Sequence, residues 1–161
     1  MPIAVARRGP FGLVFVLALG AVALALVTQH RWDMQPCPWC VLQRLIFVLV
    51  GLAAGLGLLW PSRAGAWTAV LAISVLSALG AAAALWQHFV AAASASCNLT
   101  LADRIMSALQ LDALLPEVFA ATASCADAKV NLLGLPYEFW SLGLFIVLGA
   151  VALGAVLRRA G

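Results

Sequence analysis

Four apolar runs, about Phe11–Gln29, Val41–Trp60, Ala66–Gln87 and Phe139–Leu157, dominate this sequence. Each is long enough to cross the hydrocarbon core of a bilayer, which takes roughly 20 residues as a helix. Within them the only charged side chain is Arg44. None alternates with the period of two that a membrane β-barrel needs. Backbone N–H and C=O groups in lipid must be paired within the segment, so the four runs are expected to be helices. The reading is an all-α membrane protein, a four-transmembrane-helix bundle forming one domain over residues 1–161. Charged residues are only 9% of the chain. A soluble domain carries roughly 25% to wet its surface. A soluble enzyme and a disordered chain are therefore excluded, and the lipid bilayer, not nucleic acid, is the expected surroundings. Arg7, Arg8 and the triplet Ala23-Leu24-Ala25 imitate a cleaved leader. The first apolar run outlasts a leader's core of roughly 7–15 residues, and is expected to remain as a span.

The loop charges orient the bundle. With four spans the termini share one side, which holds Arg7, Arg8, Arg63, Arg158 and Arg159 and no acid. The other side holds Arg31, Arg104 and Lys129 against Asp33, Asp103, Asp112, Glu117, Asp127 and Glu138. Basic loops stay in the cytoplasm, so both termini are expected inside. The outer loops are then about 30–40 and 88–138. All four cysteines fall in them: Cys37 and Cys40 in the first, Cys97 and Cys125 in the second.

Pro36-Cys37-Pro38-Trp39-Cys40 leads directly into the second run. Pro38 suits the first turn of a helix, where its missing N–H costs nothing. Cys40 then lies near a helix N-terminus, whose dipole and free N–H groups favour a thiolate. Arg44, four residues on, shares its face one turn deeper and adds a fixed positive charge. Two thiols at this spacing can close and open a small ring, storing two electrons. Zinc is a weaker reading because it wants four ligands and no matching pair is present. Nor does a βαβ pattern surround the motif, as a soluble thioredoxin fold would require. A purely structural disulfide stays open. For Arg44 the bland alternative is snorkelling to the headgroups. The functional one, by default for an ionisable group in a span, is the Cys40 thiolate or the polar head of a lipid-soluble oxidant.

The second outer loop is longer than a connector needs. Thr100-Leu101-Ala102-Asp103 has capping-box spacing, and Leu101, Ile105 and Leu109 continue at helical intervals. A short surface helix running toward Pro116 is expected. Small residues around Cys97 and Cys125 suggest sulfurs accessible to a protein partner, although they are also ordinary loop filler. The sequon Asn98-Leu99-Thr100 reads as chance. His88, ending the third run, is either interfacial or a hydrogen-bond partner for a quinone carbonyl. His30 reads as a loop residue. The tryptophans fall at span ends as an interfacial belt would, with Trp39 inside the C-x-x-C the exception.

This layout resembles the DsbB family of bacterial inner-membrane disulfide-forming proteins. The resemblance covers nearly the whole chain. It is carried by Cys37-Pro38-Trp39-Cys40-Val41-Leu42-Gln43-Arg44, by Cys97 and Cys125, and by Asn131-Leu132-Leu133-Gly134-Leu135-Pro136 before the last span. It implies an enzyme that re-oxidises a periplasmic thioredoxin-fold dithiol protein, DsbA-like, and passes the electrons to ubiquinone or menaquinone, sustaining disulfide formation. The DsbA–DsbB–quinone relay is what keeps the bacterial periplasm oxidising. By position, Cys97 would receive the partner in a mixed disulfide. Cys125, its mate, would exchange with the first pair through Cys37, leaving Cys40 as the thiolate against the quinone. Arg44 and His88 would lie beside the quinone. No metal or flavin is required; the glycines of Gly51–Gly57 sit inside a span with no strand before them. Two other readings remain. One is a four-span scaffold whose cysteines only staple its loops. The other is a reductase of the vitamin-K-epoxide type, whose C-x-x-C would be expected near the end of a late span.

Overall fold

The computed structural model describes residues 2–60, 62–93 and 100–160. Helices α1 (Pro2–Trp32), α2 (Pro38–Leu59), α3 (Arg63–Phe89) and α7 (Tyr137–Ala160) form the bundle. Four stretches built on these helices are long and apolar enough to cross a membrane: Gly9–Trp32, Pro38–Leu59, Arg63–Ala93, which runs on past the end of α3, and Tyr137–Ala155. The chain is a multi-pass membrane protein, as its apolar runs imply. Between α3 and α7 lie a single 3₁₀ turn (Ala91–Ala93), the short helices α4 (Leu101–Ala108), α5 (Leu111–Leu114) and α6 (Pro116–Phe119), and a two-stranded hairpin, β1 (Asn131–Leu132) and β2 (Leu135–Pro136).

The helices outrun their apolar cores. α1 continues through Gln29, His30 and Arg31 and stops where Asp33 turns left-handed at φ 51°. The loop before α2 therefore shrinks to residues 33–37, and His30 is helical, not a loop residue. The correction has a simple cause: polar side chains at a membrane surface do not interrupt backbone hydrogen bonding, so apolarity alone ends a span too early.

Around the bundle α1 packs on α2, α2 on α3 and α3 on α7, while the α1–α7 seam is the loosest. Phe11, Val14, Ala18 and Val22 recur at helical spacing on the buried face of α1. The inner face of α3 is small: Ala66, Ala69, Ser77, Gly80, Ala83 and Ala84 are buried and let its neighbours approach closely. Phe145 of α7 fills the space over Gly80 and stacks on Phe47 of α2, ring centroids 4.0 Å apart. Leu52, Leu56, Leu71, Leu79, Ile146 and Leu153 are exposed, as side chains facing lipid should be. Trp32, Trp60, Trp67, Trp86 and Trp140 are also exposed, near helix ends, whereas Trp39 is buried.

The long connection folds back over the first loop. The Thr122 and Ala123 N–H groups donate to the Pro36 carbonyl at 3.0 and 3.2 Å, and Thr122 Oγ1 donates to Gln35 Oε1 at 2.6 Å. α4 opens on the expected capping box, Thr100 and Asp103 each satisfying the other's backbone N–H. The expected single helix toward Pro116 is instead two pieces, α4 and α5, because Gln110 is left-handed at φ 54° and breaks the ladder; α6 starts at Pro116 itself. Met106 of α4 and Phe119 of α6 bury themselves with Val41 of α2 in a second small core.

Candidate functional site

The site starts at the first turn of α2. Cys37 is the N-cap residue and Pro38 occupies the first turn. The Cys37 sulfur accepts from the Cys40 N–H at 3.3 Å, which turns it back over the helix start. Cys37 and Cys40 Sγ are then 2.6 Å apart, close enough for a disulfide to form with little movement. Cys37, Cys40 and Cys125 are thiols in this structure.

Cys125 completes a cluster of three sulfurs. It comes from the long connection and hydrogen-bonds Cys37, so Cys37 stands between Cys40 and Cys125. Hydrogen bonding to Cys125 first, then to Cys40, together with burial, pushes the Cys37 thiol well above its ordinary range. Cys125 is displaced the other way. The Cys37 thiol and the Trp39 N–H donate to its sulfur and outweigh burial and the nearby carboxylates of Asp103 and Glu138. The expected accessibility of Cys125 is not found: it is buried. Its small neighbours let it fit against Cys37 and Trp39 instead of presenting it to solvent. Cys97 and the sequon residue Asn98 lie outside the described residues.

Cys40 faces a cavity of about 910 Å³ that opens at the α1–α7 seam. Val16, Leu17, Leu24, Phe47, Leu144 and Val147 make its apolar walls, and Leu132 and Leu135 of the hairpin also line it. The hairpin turn uses Leu133 and Gly134 at φ 54° and 83°, the paired left-handed residues of a tight two-residue turn. Polar groups converge at one end: Cys40, Gln43, Arg44, Gln87 and Glu138. A pocket of this size and lining suits a flat, mostly apolar molecule with a polar edge.

Arg44 is buried, 6% exposed, on the wall it shares with Cys40. Its Nη1 donates to Gln29 Oε1 at 2.7 Å and to the Val118 carbonyl at 3.0 Å, fixing the guanidinium between α1 and α6. His88 sits elsewhere. Its Nδ1 is 2.7 Å from Glu138 Oε1, and its ring packs against Phe89 and Phe139. Among the residues lining the cavity is Glu138, not His88. His30, at the end of α1, places Nε2 3.0 Å from Glu117 Oε2.

A family model described as Disulfide bond formation protein DsbB matches residues 7–155. The chain belongs to the DsbB family. Relatives of that description share about a third of its residues over most of both chains. Disulfide bond formation protein B of Ralstonia nicotianae is 32% identical over 154 residues, covering 94% of this chain and 95% of the relative. Disulfide bond formation protein B 1 of Pseudomonas syringae pv. syringae is 31% identical over 152 residues, 90% and 89%. The protein of Polaromonas naphthalenivorans is 32% identical over 157 residues, 94% and 93%. As a DsbB-family chain this is a disulfide bond formation protein, an oxidoreductase, and its sulfur cluster is where such chemistry can take place.

Three residues at the polar end of this DsbB site escape a reading of the sequence alone: Gln43, Gln87 and Glu138. Gln43 and Gln87 did carry a signal, since an amide inside a membrane span is costly unless paired. Glu138 carried none, being one acid among several between the third and fourth apolar runs.

Proposed function

We propose that this protein re-oxidises a thioredoxin-fold dithiol protein, DsbA-like, on the periplasmic face of a bacterial inner membrane and delivers the electrons to membrane quinone. The charge asymmetry of the loops supports cytoplasmic termini and, with them, a sulfur cluster on the outer face. A quinone supplies, when bound, a two-electron, two-proton sink that stays in the bilayer. Cys40, Arg44 and the apolar walls of the cavity would hold it, and the fit is good: one polar end with a fixed cation, and a long greasy remainder.

The chain's own sulfurs do the rest. A donor thiolate attacks Cys97 of a Cys97–Cys125 disulfide, forming a mixed disulfide and freeing the Cys125 thiolate. The donor's second thiolate resolves that bond, so the donor leaves oxidised and Cys97 leaves as a thiolate. Cys125 then attacks Cys37 of the Cys37–Cys40 disulfide and frees Cys40. Cys97 attacks Cys125, which restores the outer disulfide and leaves Cys37 and Cys40 as the reduced pair. Their re-oxidation releases two electrons and two protons into the cavity. Thiolate attack on a disulfide sulfur is the elementary step throughout. The observation that carries this reading is Cys37 in contact with Cys40 and Cys125 at once, with Cys40 and Arg44 on one cavity wall.

The test is quinol formation by the purified protein given reduced donor and a ubiquinone or menaquinone analogue. Cys37→Ser, Cys40→Ser, Cys97→Ser and Cys125→Ser should each abolish it. Normal turnover in Cys40→Ser would refute the assigned route.

A further inference from the structure

Two glutamines from different helices meet beside the reactive sulfur. Gln43 of α2 and Gln87 of α3 are buried, 3% and 6% exposed. Gln43 Nε2 donates to Gln87 Oε1 at 2.6 Å, and Gln87 Nε2 donates to Cys40 Sγ at 3.3 Å. A primary amide has one acceptor end and one donor end. With its oxygen taken by Gln43, the Gln87 amide must turn its N–H toward the sulfur. We propose that Gln87 is the hydrogen-bond donor that holds the Cys40 sulfur in its reacting position, and that Gln43 is the positioning residue that orients it.

The chemistry favours an amide here. Hydrogen bonds to a charged acceptor are about twice as strong as neutral ones, so the donor acts most when the sulfur is a thiolate. An amide does not titrate, so it supports the anion without handing it a proton. Arg44 supplies charge at the same cavity wall, but its Nη1 is committed to Gln29 and Val118. Gln87 supplies direction. The inference rests on Cys40 being the sulfur that faces the electron acceptor.

The experiment uses full-length protein in nanodiscs, stripped of quinone, fully reduced and pulse-alkylated with iodoacetamide at pH 7. Mass spectrometry resolves each cysteine. Gln87→Leu should slow Cys40 alkylation about tenfold, the scale of one hydrogen bond to a charged group, and leave Cys125 unchanged. Gln43→Leu should slow Cys40 by a smaller factor. Gln87→His, whose Nε2–H reaches about as far as the amide, should restore the rate. A wild-type Cys40 rate in Gln87→Leu overturns the proposal, as does a fall shared equally by Cys125 or one that His does not rescue. If the leucine variant fails to fold, isosteric Gln87→Glu, an acceptor at pH 7, is read by the same criteria. Because no quinone is present, this outcome is independent of the electron-acceptor reading, which quinol formation by the wild-type protein decides.

Discussion

Gly80→Ala probes how helix packing shapes the cavity. A Cβ at Gly80 would overlap Cε1 and Cζ of Phe145 and lie 2.6 Å from Cε2. That is roughly 1 Å short of comfortable carbon–carbon contact. Phe145 is completely buried, and its ring is stacked within 6° of parallel on Phe47, so the displacement passes to Phe47. Phe47 is a cavity wall. Overpacking typically costs about 1–3 kcal/mol, and alanine returns about 1 kcal/mol of helix propensity over glycine. A net loss of up to about 2 kcal/mol is expected by unfolding in mixed detergent micelles followed through tryptophan fluorescence. KM for the quinone analogue should rise several-fold while exchange with the reduced donor keeps its rate. Gly154→Ala is the control, because a Cβ there meets nothing within 4 Å. If the Gly80 variant matches the Gly154 variant in both stability and KM, the packing argument fails.

Arg44→Gln should raise KM for the quinone about tenfold, the worth of a charged hydrogen bond, with KM for the donor unchanged; an unmoved value would leave Arg44 a structural tie between α1 and α6. At pH 7 Cys125 should be alkylated before Cys37, because its lowered pKa gives it the larger thiolate fraction while the raised one keeps Cys37 protonated; peptide-resolved mass spectrometry reads the order, and the reverse would contradict the assigned hydrogen-bond directions. Thr100→Ala removes half of the capping box and should cost α4 about 1 kcal/mol, seen as faster amide exchange at Asp103 and Arg104 with the bundle amides unaffected.

Much of this was legible because it depends on local chemistry. Four long apolar runs with one internal charge leave little but a helical bundle. Pro38 after Cys37 announced the helix start, and Thr100 with Asp103 announced a cap. What was hidden depends on distant partners. Nothing near Gln87 says that α3 will set it against Gln43 and Cys40, more than forty positions earlier in the chain. Cys125 looked accessible from its small neighbours, yet its burial is decided by Pro36 and Trp39. Gln110 gave no warning of its left-handed backbone, since any polar residue in a helical register reads as helix. The His88–Glu138 pair likewise exists only once α3 and α7 are side by side.

The middle place of Cys37 has a mechanical consequence. A sulfur can hold one disulfide partner at a time, so bonding to Cys40 releases Cys125 and bonding to Cys125 releases Cys40. On the proposed route the trio would work as a turnstile: an electron pair could enter from the water side or leave toward the oil side, but no single arrangement would leave both doors open.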